Sequence, residues 1–202
     1  MGKAYTEEER EQIRTSLLEA GLELFHEGVK KISIRELTTR VGIAQGSFYS
    51  FFSDKDDLVK ELIHYRTSQK LQLFEAAFDW SLSDPAEFVN EAIFRMAWDL
   101  KQKSLNNQMY ADIFRFYIEM IPSEKEKLYT EAYHTMQRLS DYWNAHGIPA
   151  VLDVQGIMNV VKGALILCAH QEQLDEAYAG DILKTFIREN CKHYISINHK
   201  ER

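Results

Sequence analysis

An all-α fold is predicted from three observations. Only 9 glycines and 3 prolines occur in 202 residues, too few turn formers for a sandwich or barrel. Apolar residues recur at helical spacing, and no strand-like alternation bounded by turns is visible. Capping sequences of the Ser/Thr-x-x-Glu kind punctuate the chain repeatedly. The composition, 45% hydrophobic and 27% charged, belongs to a globular chain and not a disordered one. Cys168 and Cys191 form no CxxC pair and no disulfide framework. No apolar run approaches a membrane span, and the opening MGKAYTEEEREQ is too polar for a signal peptide. A reduced, cytoplasmic protein away from membranes is the expectation.

The elements follow from their punctuation. Thr6-Glu-Glu-Glu9 has the form of a capping box. Ile13, Leu17, Ala20, Leu24 and Phe25 continue it at helical spacing, so a first helix is predicted from Thr6 to His26. Ser33-Ile-Arg-Glu36 repeats the box and opens a short helix ending near Gly42. Ser53-Asp-Lys-Asp56 opens a long helix running to Phe78. Asp84-Pro85-Ala86-Glu87 combines a cap, a proline at the first helical position and an acid two residues later. Pro122-Ser123 and Pro149 are predicted to open two more helices, with Gly147 as a left-handed terminator. Nine helices are expected, three short ones before residue 53 and larger ones after.

Residues 33–52 contain two short helical stretches joined at Val41-Gly42-Ile43-Ala44, the pattern of a helix-turn-helix. Leu37, Val41, Ile43, Phe48 and Phe52 supply an apolar set to bury the pair against the first helix. On the second helix Phe48 and Phe52 share one side, while Gly46, Ser47, Tyr49 and Ser50 occupy the other, with Gln45 at the tip. Small and polar groups on an exposed face can approach a DNA groove closely. An ordinary helical hairpin is the competing reading of the spacing alone.

The string from Ile13 through Leu17-Leu18, Leu24-Phe25, Gly28, Leu37, Gly42-Ile43 and Gly46-Ser-Phe-Tyr49 to Phe52-Ser53, Lys55 and Leu58 resembles the DNA-binding domain of the TetR family of bacterial transcriptional regulators. The phrase Val41-Gly-Ile-Ala-Gln-Gly-Ser-Phe-Tyr-Ser-Phe-Phe-Ser-Asp-Lys55 carries most of the match. The resemblance implies an N-terminal three-helix helix-turn-helix domain, residues 1–52 and the start of the next helix. It also implies a larger helical effector-binding and dimerisation domain, residues 53–202. It further implies a recognition helix over Gln45–Phe51, Gln45 as a base reader, and Arg35, Gly46, Ser47, Tyr49 and Ser50 against base edges or phosphates. Lys55 matches a phosphate clamp. Two departures stand out: Ala44 replaces a capping serine, and Thr38 replaces a small alanine-like residue.

The formal net charge of −7 argues at first against a polyanionic partner. Between residues 28 and 55, however, Lys30, Lys31, Arg35, Arg40 and Lys55 outnumber Glu36 and Asp54. The acidity belongs to the remaining helices, and a small basic head duplicated in a dimer is sufficient for DNA.

More than half of the aromatic residues lie between residues 74 and 143, with Met96, Met109, Met120 and Met136 interleaved. Such surfaces suit an adaptable apolar pocket, although most of them could equally be core. The resemblance implies an effector pocket here. Candidate liners are Trp98, Tyr110, Phe114, Tyr117, Tyr133 and Met136, with Arg115, His134 and His170 as polar contacts. The expected ligand is a largely apolar or aromatic small molecule.

From Asp153 to Gln173 an apolar stripe includes Val154, Ile157, Met158, Val161 and Leu165, and Gly156 and Gly163 permit close helix approach. Asp181 to His199 carries Ile182 and Phe186. Two such helices per subunit would build the four-helix homodimer interface that the resemblance implies; packing within the chain is the competing reading.

No catalytic Ser-His-Asp or Cys-His grouping, phosphate-binding glycine loop or histidine pair with metal spacing is recognisable, so no enzyme, cofactor or metal is expected. The sequence points to a dimeric, ligand-responsive regulator binding a pseudo-palindromic double-stranded DNA operator, most simply a repressor released by its effector. The alternative is a helical small-molecule-binding or adaptor protein that no longer reads DNA.

Overall fold

The computed structural model describes residues 5–119 and 122–197, with side chains for all of these except 122–128 and 197. Within these residues the chain forms eight α-helices, four short 3-10 segments and one small sheet. Helix α1 (Glu7–Phe25) begins at the capping box: Thr6 Oγ1 accepts from the Glu9 amide at 3.2 Å, and the Glu9 carboxylate accepts from the Thr6 amide at 2.9 Å. Helix α2 (Ile34–Val41) is capped by Ser33 and ends at Gly42, whose φ of 76° is left-handed. A 3-10 turn over Gln45–Ser50 follows. Helix α3 (Lys55–Glu75) then leads into the rest of the molecule.

These first elements close a small core of their own. Leu17, Phe25, Leu37, Phe48, Phe52, Leu58 and Leu62 are all fully buried or nearly so. Gly21 lets α1 approach α3 closely, because a Cβ there would lie 2.8 Å from a Leu62 methyl.

The remaining helices are α4 (Pro85–Ser104), α5 (Gln108–Glu119), α6 (Pro122–Ala145), α7 (Val154–Ala169) and α8 (Glu176–Tyr194). Helix α4 packs against α5, α7 and α8, and α6 crosses α3. Trp143, fully buried, ties α6 to the 3-10 segment Phe78–Leu82. Its indole N–H donates to Ser81 Oγ at 2.7 Å, and the Ser81 hydroxyl donates to the Phe78 carbonyl at 2.6 Å. Such a chain satisfies every buried polar atom along its path.

Several element boundaries differ from the sequence reading. The first helix keeps the expected span between Thr6 and His26, which at 19 residues makes it one of the long elements and not one of three short ones. The proposed recognition helix is a 3-10 turn, because Ala44 offers no side-chain cap and Gly46 weakens helix continuation. Asp54, not Ser53, caps α3: its carboxylate accepts from the Asp57 amide at 2.8 Å, and the Asp57 carboxylate accepts from the Ser53 amide at 2.8 Å. Helix α3 ends at Glu75, short of Phe78.

Pro149 does not open a helix. It precedes strand β1 (Ala150–Leu152), and Asp153 caps α7 by accepting from the Gly156 amide at 3.0 Å. Strand β1 pairs antiparallel with β2 (Ile195–Ile197), so α8 stops at Tyr194. Both strands are three residues long, too short for an alternation pattern to register. Met120 and His199 lie outside the described residues. No helix among the described residues is long and apolar enough to cross a membrane.

Candidate functional site

The N-terminal helix-turn-helix unit (the head) is held from beneath by aromatic packing. Phe48 and Phe52 point inward with ring centroids 5.5 Å apart, leaving Gln45, Gly46, Tyr49 and Ser50 exposed on the outer side. Arg35 on α2 is exposed as well, whereas Ser47 and Lys55 are half-buried. Tyr49 is 57% exposed. A Cβ on Gly46 would meet nothing within 4 Å, so the protein's own packing does not demand glycine there.

Two arginines of α1, neither singled out by the sequence reading, brace this turn. Arg10 donates to the Ser50 carbonyl at 2.8 Å and stacks 5.1 Å from the Phe51 ring centre. Arg14 stacks 5.1 Å from the Phe52 ring centre and bonds Glu61 of α3. Their spacing of one helical turn on α1 was the available signal. Thr38 is buried, and its hydroxyl donates within the helix to the Ile34 carbonyl at 2.9 Å, so the substitution for a smaller residue leaves no unpaired group.

The basic count needs one correction. Arg40 pairs with Glu36 at 2.7 Å and Glu23 at 3.0 Å, so it contributes little field. Lys30, Lys31, Arg35 and Lys55 have no ion-pair partner among the described residues and form the remaining positive surface.

The body holds a cavity of about 390 Å³ between α3, α4, α5, α6 and α7. Most of its wall is aliphatic or thioether surface, including Ile63, Leu71, Val89, Met96 and Leu100. Tyr110 and Tyr117 of α5 and Met136 of α6 line it, together with Ile113 and Tyr129. The other proposed liners lie elsewhere. Phe114 and Arg115 are rotated off that face of α5: Lys101 covers the Phe114 ring at 5.1 Å, and Arg115 pairs with Asp112 at 3.3 Å. Tyr133 and His134 are rotated off the cavity face of α6 in the same way. His170 is exposed at the end of α7. Trp98 borders a separate hollow of about 10 Å³ near Cys168, too small to count as a ligand site.

Residues assigned to a dimer surface also change place. Ile157, Met158, Val161 and Leu165 line the cavity, and Val154 is buried in the chain's own core. Gly163 lets α7 approach Phe186 of α8, where a Cβ would lie 2.6 Å from the ring; Phe186 is therefore half-buried within the protomer. Ile182 remains 41% exposed, as does Ile166 at 58%.

The cavity has a polar side that the sequence reading missed. Arg66 and Lys70 of α3 and Lys103 and Asp99 of α4 border it. Arg66 donates to the Tyr110 hydroxyl at 2.8 Å, and the Thr67 and Tyr117 hydroxyls share a hydrogen bond of 2.7 Å. Burial pushes the Tyr117 phenol above its ordinary range, so it stays neutral at physiological pH. Desolvation at the cavity wall, reinforced by Arg66 and Lys103, lowers the Lys70 ammonium although the residue keeps water contact.

Helix α5 touches both halves of the molecule. While Tyr110, Ile113 and Tyr117 face the cavity, Asp112 accepts from the Val29 amide of the head at 2.8 Å. Gln108 holds the other Asp112 oxygen at 2.9 Å. Gly28, with φ of 94°, lies so near that a Cβ would be 2.4 Å from Gln108 Cγ.

Among the described residues no cluster of His, Cys, Asp and Glu could hold a metal ion. Burial pushes the Cys168 and Cys191 thiols up to about 11, which leaves neither poised as a nucleophile.

Residues 17–62 match the family model for bacterial regulatory proteins of the tetR family. The whole fold is similar to that of RolR solved with resorcinol (TM-score 0.60, 21% identity, covering 91% of this chain and 89% of that one). A TetR transcriptional regulator from Rhodococcus sp. RHA1 aligns with TM-score 0.61 and 14% identity over 95% of this chain and 100% of its own. SmeT, repressor of the Stenotrophomonas maltophilia multidrug efflux pump SmeDEF, aligns with TM-score 0.54 and 15% identity over 91% and 90%. No curated protein matches the chain.

Proposed function

Because residues 17–62 match the bacterial regulatory proteins of the tetR family, we propose that this chain is a dimeric repressor whose hold on an operator is released by a small molecule in the body cavity. Helix α5 is the observation that carries this reading: one face lines the cavity, and Asp112 on another face holds the Val29 amide of the head. A ligand that displaces Tyr110 or Tyr117 moves a helix bonded to both the head and α3, whose N-terminus carries Lys55.

On this reading residues 1–52 and the first turn of α3 form the reading head, and residues 53–202 form the body. Gln45 pairs with an adenine edge. Gly46 allows close approach, and Arg35, Ser47, Tyr49, Ser50 and Lys55 contact backbone or base edges. Arg10 and Arg14 position the turn without touching DNA. Ile166 and Ile182, exposed on adjacent helices α7 and α8, meet their symmetry mates in a homodimer. Two heads then address successive major grooves ~34–36 Å apart. A ligand that favours another spacing lowers operator affinity by its differential binding to the two states.

Footprinting on the DNA upstream of the protein's own coding region tests the proposal. A pseudo-palindromic protected site with salt-dependent affinity supports it. Sequence-independent protection, or no binding at low salt, would leave a helical ligand-binding or adaptor protein instead.

A further inference from the structure

The cavity wall divides into an apolar body and one cationic patch. Arg66 and Lys70 lie one turn apart on α3, facing Lys103 on α4. The Arg66 guanidinium carbon and Lys103 Nζ stand 5.2 and 5.5 Å from the centre of the same Tyr110 ring, so two cations converge on one aromatic ring. Neither they nor Lys70 has an ion-pair partner within 4.0 Å among the described residues. Arg95, also at the wall, is occupied by Glu91. Asp99 is the one carboxylate lining the cavity among the described residues; it is exposed and makes no ion pair of its own. Among the described residues, three unpaired cations against one carboxylate leave a net positive lining beside aliphatic walls.

Lys70 and Lys103 are exposed and Arg66 is half-buried, so water screens these like charges while the cavity is open. A ligand that fills it displaces that water and leaves them to be matched by an anion. On the reading that this cavity receives the effector, we infer that the effector is an amphipathic organic anion, its carboxylate or phosphate head at Arg66, Lys70 and Lys103 and its apolar body among Met96, Met136 and Ile157. The volume of about 390 Å³ fits a bicyclic aromatic or a medium-length alkyl chain. The Tyr110 ring stacks on both cations and so fixes where the head sits. A neutral molecule of the same shape fills the walls and leaves the cations unpaired. The preference for the anion is therefore larger than the area buried would give.

Fluorescent probes matched in shape test this without DNA. Anilinonaphthalene sulfonate and its neutral counterpart phenylnaphthylamine differ by one anionic group. The native dimer is expected to bind the sulfonate at one site per protomer, at least about tenfold more tightly than the amine, the size of one charge-assisted hydrogen bond. In the Lys70→Gln/Lys103→Gln variant the preference should fall about tenfold while amine binding stays unchanged. Lys70 keeps water contact, and the circular dichroism and melting temperature of the variant confirm that it folds. Decanoate or decyl phosphate should displace the sulfonate where decanol does not, and the tighter displacer tells carboxylate from phosphate. Equal binding of the two probes, no binding of the sulfonate, or a preference that survives the double substitution would overturn the inference. None of those results bears on whether the heads read DNA, which footprinting decides separately.

Discussion

The N-terminal head and the body solve opposite packing problems with the same kind of element. In the head, helix α1, the shorter α2, the 3-10 turn and the first turns of α3 close around Phe25, Leu37, Phe48 and Phe52, and its small and polar groups point outward. In the body, longer helices leave about 390 Å³ open, and unpaired cations border the hollow. A filled core holds a surface in register, whereas a hollow one can exist in two arrangements that a ligand distinguishes. The junction combines both: Asp112 is a rigid contact on a helix whose other face lines the hollow.

Hollowing the head puts this contrast under the greatest stress. Phe48→Ala removes a fully buried ring and should cost about 3–5 kcal/mol. Urea unfolding followed by circular dichroism would show the head melting before the body. Operator binding should disappear with it.

At the junction, Gly28→Ala forces a side chain into a positive-φ position and against Gln108. A loss of about 1–3 kcal/mol is expected, measured by thermal unfolding, together with a weaker response of operator affinity to ligand.

On the head's outer face, Lys55→Ala should leave stability nearly unchanged and weaken operator binding. The slope of log affinity against log salt should fall by about 0.9 for each phosphate no longer neutralised, and a dimer doubles that change. Fluorescence anisotropy at several salt concentrations reads this directly.

The last effect, absent at neutral pH, concerns the body's two thiols. Both sit at about 11 in the folded protein, above the ordinary value of 9.0. The unfolded chain therefore loses those protons first, and stability contributed by the neutral thiols declines as pH rises from about 9 toward 11. In native protein near pH 8, a disulfide reagent should label neither cysteine until denaturant is added.

The two regions also differ in how much of them the sequence disclosed. The head is local: its turn, its anchors Phe48 and Phe52 and its exposed small residues lie within the phrase 41–55, so spacing alone brings them together. What escaped notice there was long-range, as with Arg10 reaching the Ser50 carbonyl and Arg40 being neutralised by Glu23. The body is assembled from helices far apart in the chain. Lys103 reads as an ordinary cation in the last turn of α4, and Arg66 as an ordinary helix-surface charge. Only the approach of α3, α4 and α5 makes them neighbours. The stripe through Ile157 and Leu165 was visible, but periodicity cannot say whether an apolar face meets a partner subunit or the chain's own interior. The strands β1 and β2 were hidden by their length.

Coupling between cavity and head through Asp112 underlies the whole proposal, and one titration addresses it. A fluorescent operator duplex recovered by footprinting would be titrated with native protein and with Asp112→Ala, each with and without saturating decanoate, whose binding to both proteins is measured separately. Decanoate is expected to weaken operator binding by the native protein, and Asp112→Ala to bind both ligands while most of that effect disappears. An undiminished decanoate effect in Asp112→Ala, or no effect in native protein whose cavity is occupied, would contradict the coupling.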